Sequence, residues 1–233
     1  MATTHADWAI ESFLDLERRL ADFLRVVPYE SAHMRTYSPV LAAILLDACS
    51  LTESILKSTM DHARYNAITS ITQLRAKRYS TTPPYLNIND LRLVFRSDMF
   101  YAKKVWLLSR GVASFPWYQW RARAVQHPKW WTAYNRAKHD RFGNATHATL
   151  NNTLHALKGC YLCLVSSLEF RARLVERGLI RSRNLSAHVL LPICGAWEPL
   201  PSKETIVSSS LLFGYKFRST GNPAEASDIG VFL

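Results

Sequence analysis

Trp130-Trp-Thr-Ala-Tyr-Asn-Arg-Ala-Lys-His-Asp-Arg141 is the most informative stretch of the chain. Residues three and four apart meet on the surface of a helix. Helical spacing therefore puts Trp131 and Tyr134 in one strip and Asn135, Lys138 and His139 on the neighbouring face. One strip is apolar and anchors the segment. The next presents an amide, an ammonium and an imidazole together. That grouping suits a phosphodiester: an imidazole moves a proton near neutral pH, and Lys and Arg stabilise charge on a transferring phosphorus centre. His127-Pro128 introduces this helix, which is expected to run to about His139, and Gly143-Asn144 breaks it.

The flanking sequence reads as further helices. Phe13, Leu16, Leu20, Phe23, Leu24 and Val27 recur at three and four spacing, predicting a helix from Asp7, as its cap, to Val27, stopped by Pro28. Ser38-Pro39 opens a second helix, with Ser as N-cap and Pro in the first turn. Its wide apolar face, Leu41, Ile44, Leu45, Ala48, Leu51, Ile55 and Leu56, predicts a central position. A third helix is expected over Met60 to Lys77. After the motif, Thr146 opens a long final helix to about Arg177, striped by Leu150, Leu154, Leu157, Tyr161, Leu164 and Leu168. Gly178 follows as its C-cap.

Between these lies an irregular insertion at about residues 79 to 127. It holds a Pro83-Pro84 loop, two short apolar runs at Leu91 to Phe95 and Val105 to Leu108 that fit strand or helix, and an aromatic knot, Phe115-Pro-Trp-Tyr-Gln-Trp120. Beyond Asn184 prolines interrupt the chain, and Ile206 to Phe217 has strand-like character. Residues 1–183 thus read as one helical domain and 184–233 as a C-terminal extension. That extension is free to fold back on the helices or to reach a second subunit.

The 233 residues are nearly half apolar, an ordinary globular balance. Lys plus Arg outnumber Asp plus Glu by 29 to 18, a formal net charge of +11. Arg, suited to bidentate phosphate contacts, supplies most of the excess. An acidic partner is one reading, with nucleic acid first; a basic surface kept for solubility is the other. The N-terminus lacks a signal-peptide pattern, and the longest apolar run, Val40 to Leu46, is too short to span a bilayer. Four scattered cysteines, Cys49, Cys160, Cys163 and Cys194, point to a reducing cytosol and no disulfide framework. Cys160 and Cys163 form a CxxC inside a helical pattern without a second ligand pair, so core packing is favoured over zinc. No Gly-rich phosphate loop, GxSxG or HExxH is present, and no cofactor or metal is expected.

The W-x2-Y-N-x2-K-H-x-R pattern at Trp131 to Arg141, with Leu45-Leu-Asp-Ala-Cys-Ser-Leu-Thr-Glu-Ser-Ile-Leu-Lys57 as a second helix, resembles the HEPN superfamily of helical domains. The resemblance spans about Phe13 to Arg177. It implies an all-α bundle of four or five helices and a homodimer, because two motifs meet across the family's dimer. Many members are metal-independent ribonucleases of prokaryotic toxin–antitoxin and antiviral systems; others have lost catalysis and bind RNA or proteins. In active members an Arg and a polar residue precede the His. Carried over, His139 is acid–base, Arg141 and Lys138 hold the scissile phosphate, and Asn135 orients the substrate or the partner motif. The family's Arg position holds Tyr134 here. A looser Arg-to-His spacing is met by Arg141 with His147 and by other pairs, at about the frequency chance gives.

Three functions follow as expectations for a cytoplasmic protein. The first is an RNA-directed protein, as a metal-independent endoribonuclease with a cognate antitoxin or regulatory protein. The second is a non-catalytic module binding RNA or a protein partner, and the third a structural or regulatory partner without nucleic acid. Glu53 reads either as a group orienting His139 or Lys138 or as a structural ion-pair partner. Trp117, Trp120, Trp130 and Trp131 read as stacking platforms or as core beneath the motif. Arg18, Arg19 and the Arg171 to Arg183 run read as a phosphate track or as a solvated helix face.

Overall fold

The computed structural model describes residues 4–95, 98, 100–121, 126–182 and 205–218. Seven α-helices and five short strands lie among them. Helix α1 (His5–Val26) starts one turn earlier than Asp7 predicts. Thr4 is the N-cap and Asp7 sits three residues in, where the two side chains satisfy each other's backbone N–H in a capping box. Helix α2 (Pro39–Thr59) begins as expected: the Ser38 hydroxyl accepts from Leu41 N at 3.2 Å and Pro39 occupies the first turn.

The expected third helix from Met60 to Lys77 is cut down to α3 (Ile71–Arg78). Arginines explain the interruption. Arg75 donates to the Met60 and His62 carbonyls, and Arg78 donates to that of Lys57 at 2.9 Å. They satisfy the orphan carbonyls at the end of α2, so the chain turns there. In the insertion, Leu91 to Phe95 belongs to a helix, α4 (Ile88–Phe95), whereas Val105 opens a strand, β1 (Val105–Leu107), paired with β2 (Val112–Ser114).

Helix α5 (Lys129–His139) carries the motif. The expected single final helix is two: α6 (Leu150–Ser166), capped by Thr149 and not opened by Thr146, and α7 (Leu168–Glu176). Ser167 separates them with an extended backbone, and its hydroxyl lies 2.8 Å from that of Thr59 on α2. A buried hydroxyl pair thus replaces a continuous helix. Helix α7 ends in a Schellman turn at Gly178 (φ +69°), with Leu179 N bonded to Leu174 O and Gly178 N to Val175 O.

Helix α6 is buried on nearly every side and packs on α2, α1 and α5. The stretch of α2 that is long and apolar enough to cross a membrane is 56% buried inside the molecule. The strands β3 (Ile180–Ser182), β4 (Thr205–Ser209) and β5 (Phe213–Arg218) join the hairpin of the insertion in one antiparallel sheet, ordered β2-β1-β5-β4-β3. The strand character of Ile206 to Phe217 is therefore present. What the sequence does not show is its partner: Trp106 of the insertion pairs with Gly214. The fold is mainly helical, with this sheet laid on one side of it.

Two contacts lock sheet and insertion to the bundle. Glu17, fully buried on α1, accepts from the Ser210 hydroxyl and from the backbone N–H of Leu211 (3.1 Å) and Leu212 (2.7 Å) in the turn before β5. Burial pushes its carboxyl up, and these donors work against that shift. The adjacent Phe213 ring packs on Phe13 and Tyr161, with centroids 6.4 and 5.8 Å away. In the aromatic knot, Trp117 Nε1 donates to Gly159 O and Trp130 Nε1 to Pro116 O. A Cβ on Gly159 would lie 2.9 Å from the Trp130 ring and 3.4 Å from Trp117 Nε1.

Gly159→Ala is expected to destabilise by about 1–3 kcal/mol through overpacking, although Ala is the better helix former. A thermal melt and the near-UV tryptophan signal check this. An unchanged or raised Tm contradicts the close approach. Glu17→Leu leaves two amides and a hydroxyl without their acceptor, and a loss of about 2 kcal/mol in urea unfolding is expected.

Candidate functional site

Helix α5 has two unlike faces, as its spacing requires. Trp130, Trp131, Ala133, Tyr134 and Ala137 are buried against the core, and Arg136, Lys138 and His139 are exposed. Trp130 stands edge-on to Trp117 at 4.9 Å, and Trp131 packs on Tyr134 at 5.1 Å. Trp117, Trp120, Trp130 and Trp131 are all core residues. They anchor the motif, and their rings are not available as stacking platforms.

Each expected site residue has a definite place. Asn135 is half-buried on the border between the faces. Lys138 is exposed, with Nζ 5.5 Å from the centroid of the Tyr134 ring. His139 is the last residue of α5 and is exposed; Arg141 is exposed in the turn that follows. The helix brings Asn135, Lys138 and His139 close along one side, and Arg141 follows two residues beyond its end. Arg136, left outside the expected site, reaches His147 across the turn, Nη1 to Nε2 3.0 Å. Glu53 takes its structural role, paired with Lys57 at 2.6 Å.

Tyr134 belongs to the buried face. Only 5% of its surface is exposed, and burial raises its phenol. A guanidinium at this position would have to be desolvated against Trp131.

The turn beyond α5 is tightly built. The Asp140 carboxylate accepts from Gly143 N at 2.9 Å, and Asn144 donates to Asp140 O from both its backbone and its side-chain nitrogen. A Cβ on Gly143 would overlap the Asp140 carboxylate. Phe142, between Arg141 and Gly143, is 96% exposed. The following segment is tied to the chain before α2: Leu150 N donates to Thr36 O at 2.8 Å, and Tyr37 bridges to Thr149.

Charge separates this end of the molecule from the other arginine clusters. Arg18 and Arg19 pair with Asp15, and Arg19 also with Asp47. Arg173 and Arg177 close on Asp7, with Arg177 also 2.9 Å from Glu11. The Arg173 guanidinium holds the Asp7 carboxyl well below the usual carboxylate range. These arginines bind the ends of α1 and α7 together and are a poor phosphate track. By contrast, none of Arg136, Lys138 and Arg141 forms an ion pair among the described residues. Arg183, at the end of the expected run, lies outside the described residues.

Other reactive groups are sealed. Cys49, Cys160 and Cys163 are buried free thiols, and burial pushes Cys160 up to about 12; Cys194 lies outside the described residues. No cluster of three or more metal-ligating side chains occurs among the described residues. Lys158, 1% exposed in α6, donates to Ser114 Oγ at 2.9 Å, and burial pushes it down to about 8. Burial, and then the Lys158 charge, push His155 down to about 4.

Of the residues outside the motif, Phe142 and His147 were not singled out by the helical pattern, because both lie in the connection between helices. A Phe set between Arg and Gly in a polar turn is the sequence signal for the first. No family model matches the chain, and neither a curated protein nor a solved structure matches it.

Lys158 fixes the sign of one pH effect. Its native value is depressed, so between about pH 8 and 10.5 the unfolded chain holds the proton more tightly and stability rises with pH. Lys158→Met is expected to flatten that rise and to add on the order of 2 kcal/mol at pH 7. Urea unfolding of native protein and variant across this range measures the difference directly.

Proposed function

We propose that the chain is an RNA-directed, HEPN-like protein that contacts RNA through the open end of α5 and the turn after it. The observation that carries this reading is the set of exposed cations without a carboxylate partner among the described residues, Arg136 and Lys138 on a helix whose opposite face is locked in the core and Arg141 in the turn after it. Arg18, Arg19, Arg173 and Arg177, by contrast, meet carboxylates of the same chain. A guanidinium and an ammonium with no internal anion are the groups that release counterions when a phosphate backbone docks. Two imidazoles, His139 and His147, lie in the same region, with His147 held by Arg136. Binding without cleavage is the reading favoured by the buried ring of Tyr134.

Metal-independent cleavage is the second reading, favoured by the exposure of His139. In it His139 takes the proton of the ribose 2′-OH, Lys138 and Arg141 hold the phosphate, and Asn135 orients the substrate. A homodimer that apposes two such motifs belongs to this reading.

Native protein is expected to bind an RNA oligonucleotide with an affinity that falls steeply with salt. Arg136→Ala/Lys138→Ala/Arg141→Ala should flatten the log–log slope by about 2 to 3. An unchanged slope contradicts the proposed interface. Incubation of total RNA in EDTA with native protein and with His139→Ala decides between the two readings. Cleavage lost in the variant establishes the nuclease; intact RNA in both, with binding retained, leaves the module.

A further inference from the structure

The turn at Asp140–Asn144 is held by three hydrogen bonds, and it carries a large apolar side chain into water. Phe142 is 96% exposed and has no polar atom of its own to solvate. Immediately beside it Arg141 is exposed, and Lys138 and His139 lie on the last turn of α5. An apolar ring near cations that no carboxylate neutralises among the described residues is complementary to a nucleotide, whose base is a flat apolar face and whose phosphate is an anion.

We propose that Phe142 is a base-stacking residue, whose ring receives an unpaired base of a bound RNA while Arg141 and Lys138 hold the adjoining phosphates. The proposal rests on the RNA-directed reading above and adds to it the ligand form and the residue that selects it. In a duplex the base faces are covered by their neighbours, so the ring finds a partner only in a single strand, a loop or an end. The turn supports the contact because Gly143 and Asp140 already fix the backbone on either side of the ring, and little order remains to be lost on binding.

Other exposed rings lack this setting. Trp8, 60% exposed, lines a groove with Glu11, Asp15 and Asp47, whose arginine neighbours are already paired. Tyr79, 72% exposed, lies beside Arg78, which is committed to Asp61 and the Lys57 carbonyl. Phe142 combines greater exposure than either with cations that no carboxylate neutralises among the described residues.

The test compares full-length native protein, Phe142→Ala, Phe142→Trp and Arg141→Ala. Fluorescence anisotropy measures their binding to a labelled 12-nucleotide oligouridine and to an RNA duplex of equal length, at one salt concentration. Phe142→Ala should weaken oligouridine binding by about tenfold and leave duplex binding unchanged. Phe142→Trp should restore the single-strand affinity, and Arg141→Ala should weaken both ligands alike. Quenching of a 2-aminopurine placed in the oligonucleotide should disappear in Phe142→Ala. Oligouridine affinity unaffected by Phe142→Ala overturns the stacking role while leaving the RNA-directed reading standing. Native protein that binds neither ligand overturns both. If Phe142→Ala instead converts a dimer to a monomer in sedimentation with oligouridine affinity intact, the ring belongs to an interface between copies and the proposal fails.

Discussion

The space that Gly159 leaves empty is filled by the ring of Trp130, and that contact seats α5 on α6. Helix α6 is the most buried helix among the described residues. A helix that packs against its middle must either stand off from it or meet a residue without a side chain. Trp130 takes the second course, and its Nε1 reaches on to Pro116 of the insertion, while Trp117 returns a hydrogen bond to the Gly159 carbonyl. Three segments far apart in sequence thus meet in one aromatic cluster. Since close-packed rings transmit position with little slack, the rotation of α5 about its axis is set from below. Lys138 and His139 face outward as the consequence, with Asn135 on the border.

A second constraint holds the sheet. A carboxylate in a protein interior is costly unless it is met by donors. Glu17 meets a hydroxyl and two backbone N–H groups in the turn between β4 and β5. The turn in turn carries Phe213 into the core beside Phe13 and Tyr161. Helix α1 is fastened to the sheet here and to the end of α7 at the Asp7 pairings with Arg173 and Arg177. Both devices consume charge internally. They show why a formal charge of +11 is a weak guide to a basic surface: the position of each cation relative to the carboxylates decides what an external anion can reach.

The helices that were easiest to read are those whose boundaries are written in local chemistry. Ser38-Pro39 and Gly178 mark termini by capping and by a left-handed turn, which depend on neighbouring residues alone. The spacing of Trp131, Tyr134, Asn135, Lys138 and His139 likewise put the right residues on the right faces of α5. Where the reading failed, a distant partner had intervened. Arg75 and Arg78 end α2 by reaching back to its carbonyls, so the helix expected from Met60 does not start until Ile71. Thr59 meets Ser167 and divides the last helix. The run at Val105 was open to either reading until β5 supplied the strand beside it.

Taken alone, the sequence determined the mainly helical character, the central place of α2 and the two-faced nature of α5, because periodicity and capping act over one or two turns. It also placed an amide, an ammonium and an imidazole close together along that helix. Only the tertiary structure decided which of the basic residues are neutralised within the chain, that Tyr134 is buried, and that Phe142 stands in solvent. The physical reason is the same in each case. Burial and ion pairing are properties of groups brought together from remote parts of the chain, and no local pattern records who the neighbour will be.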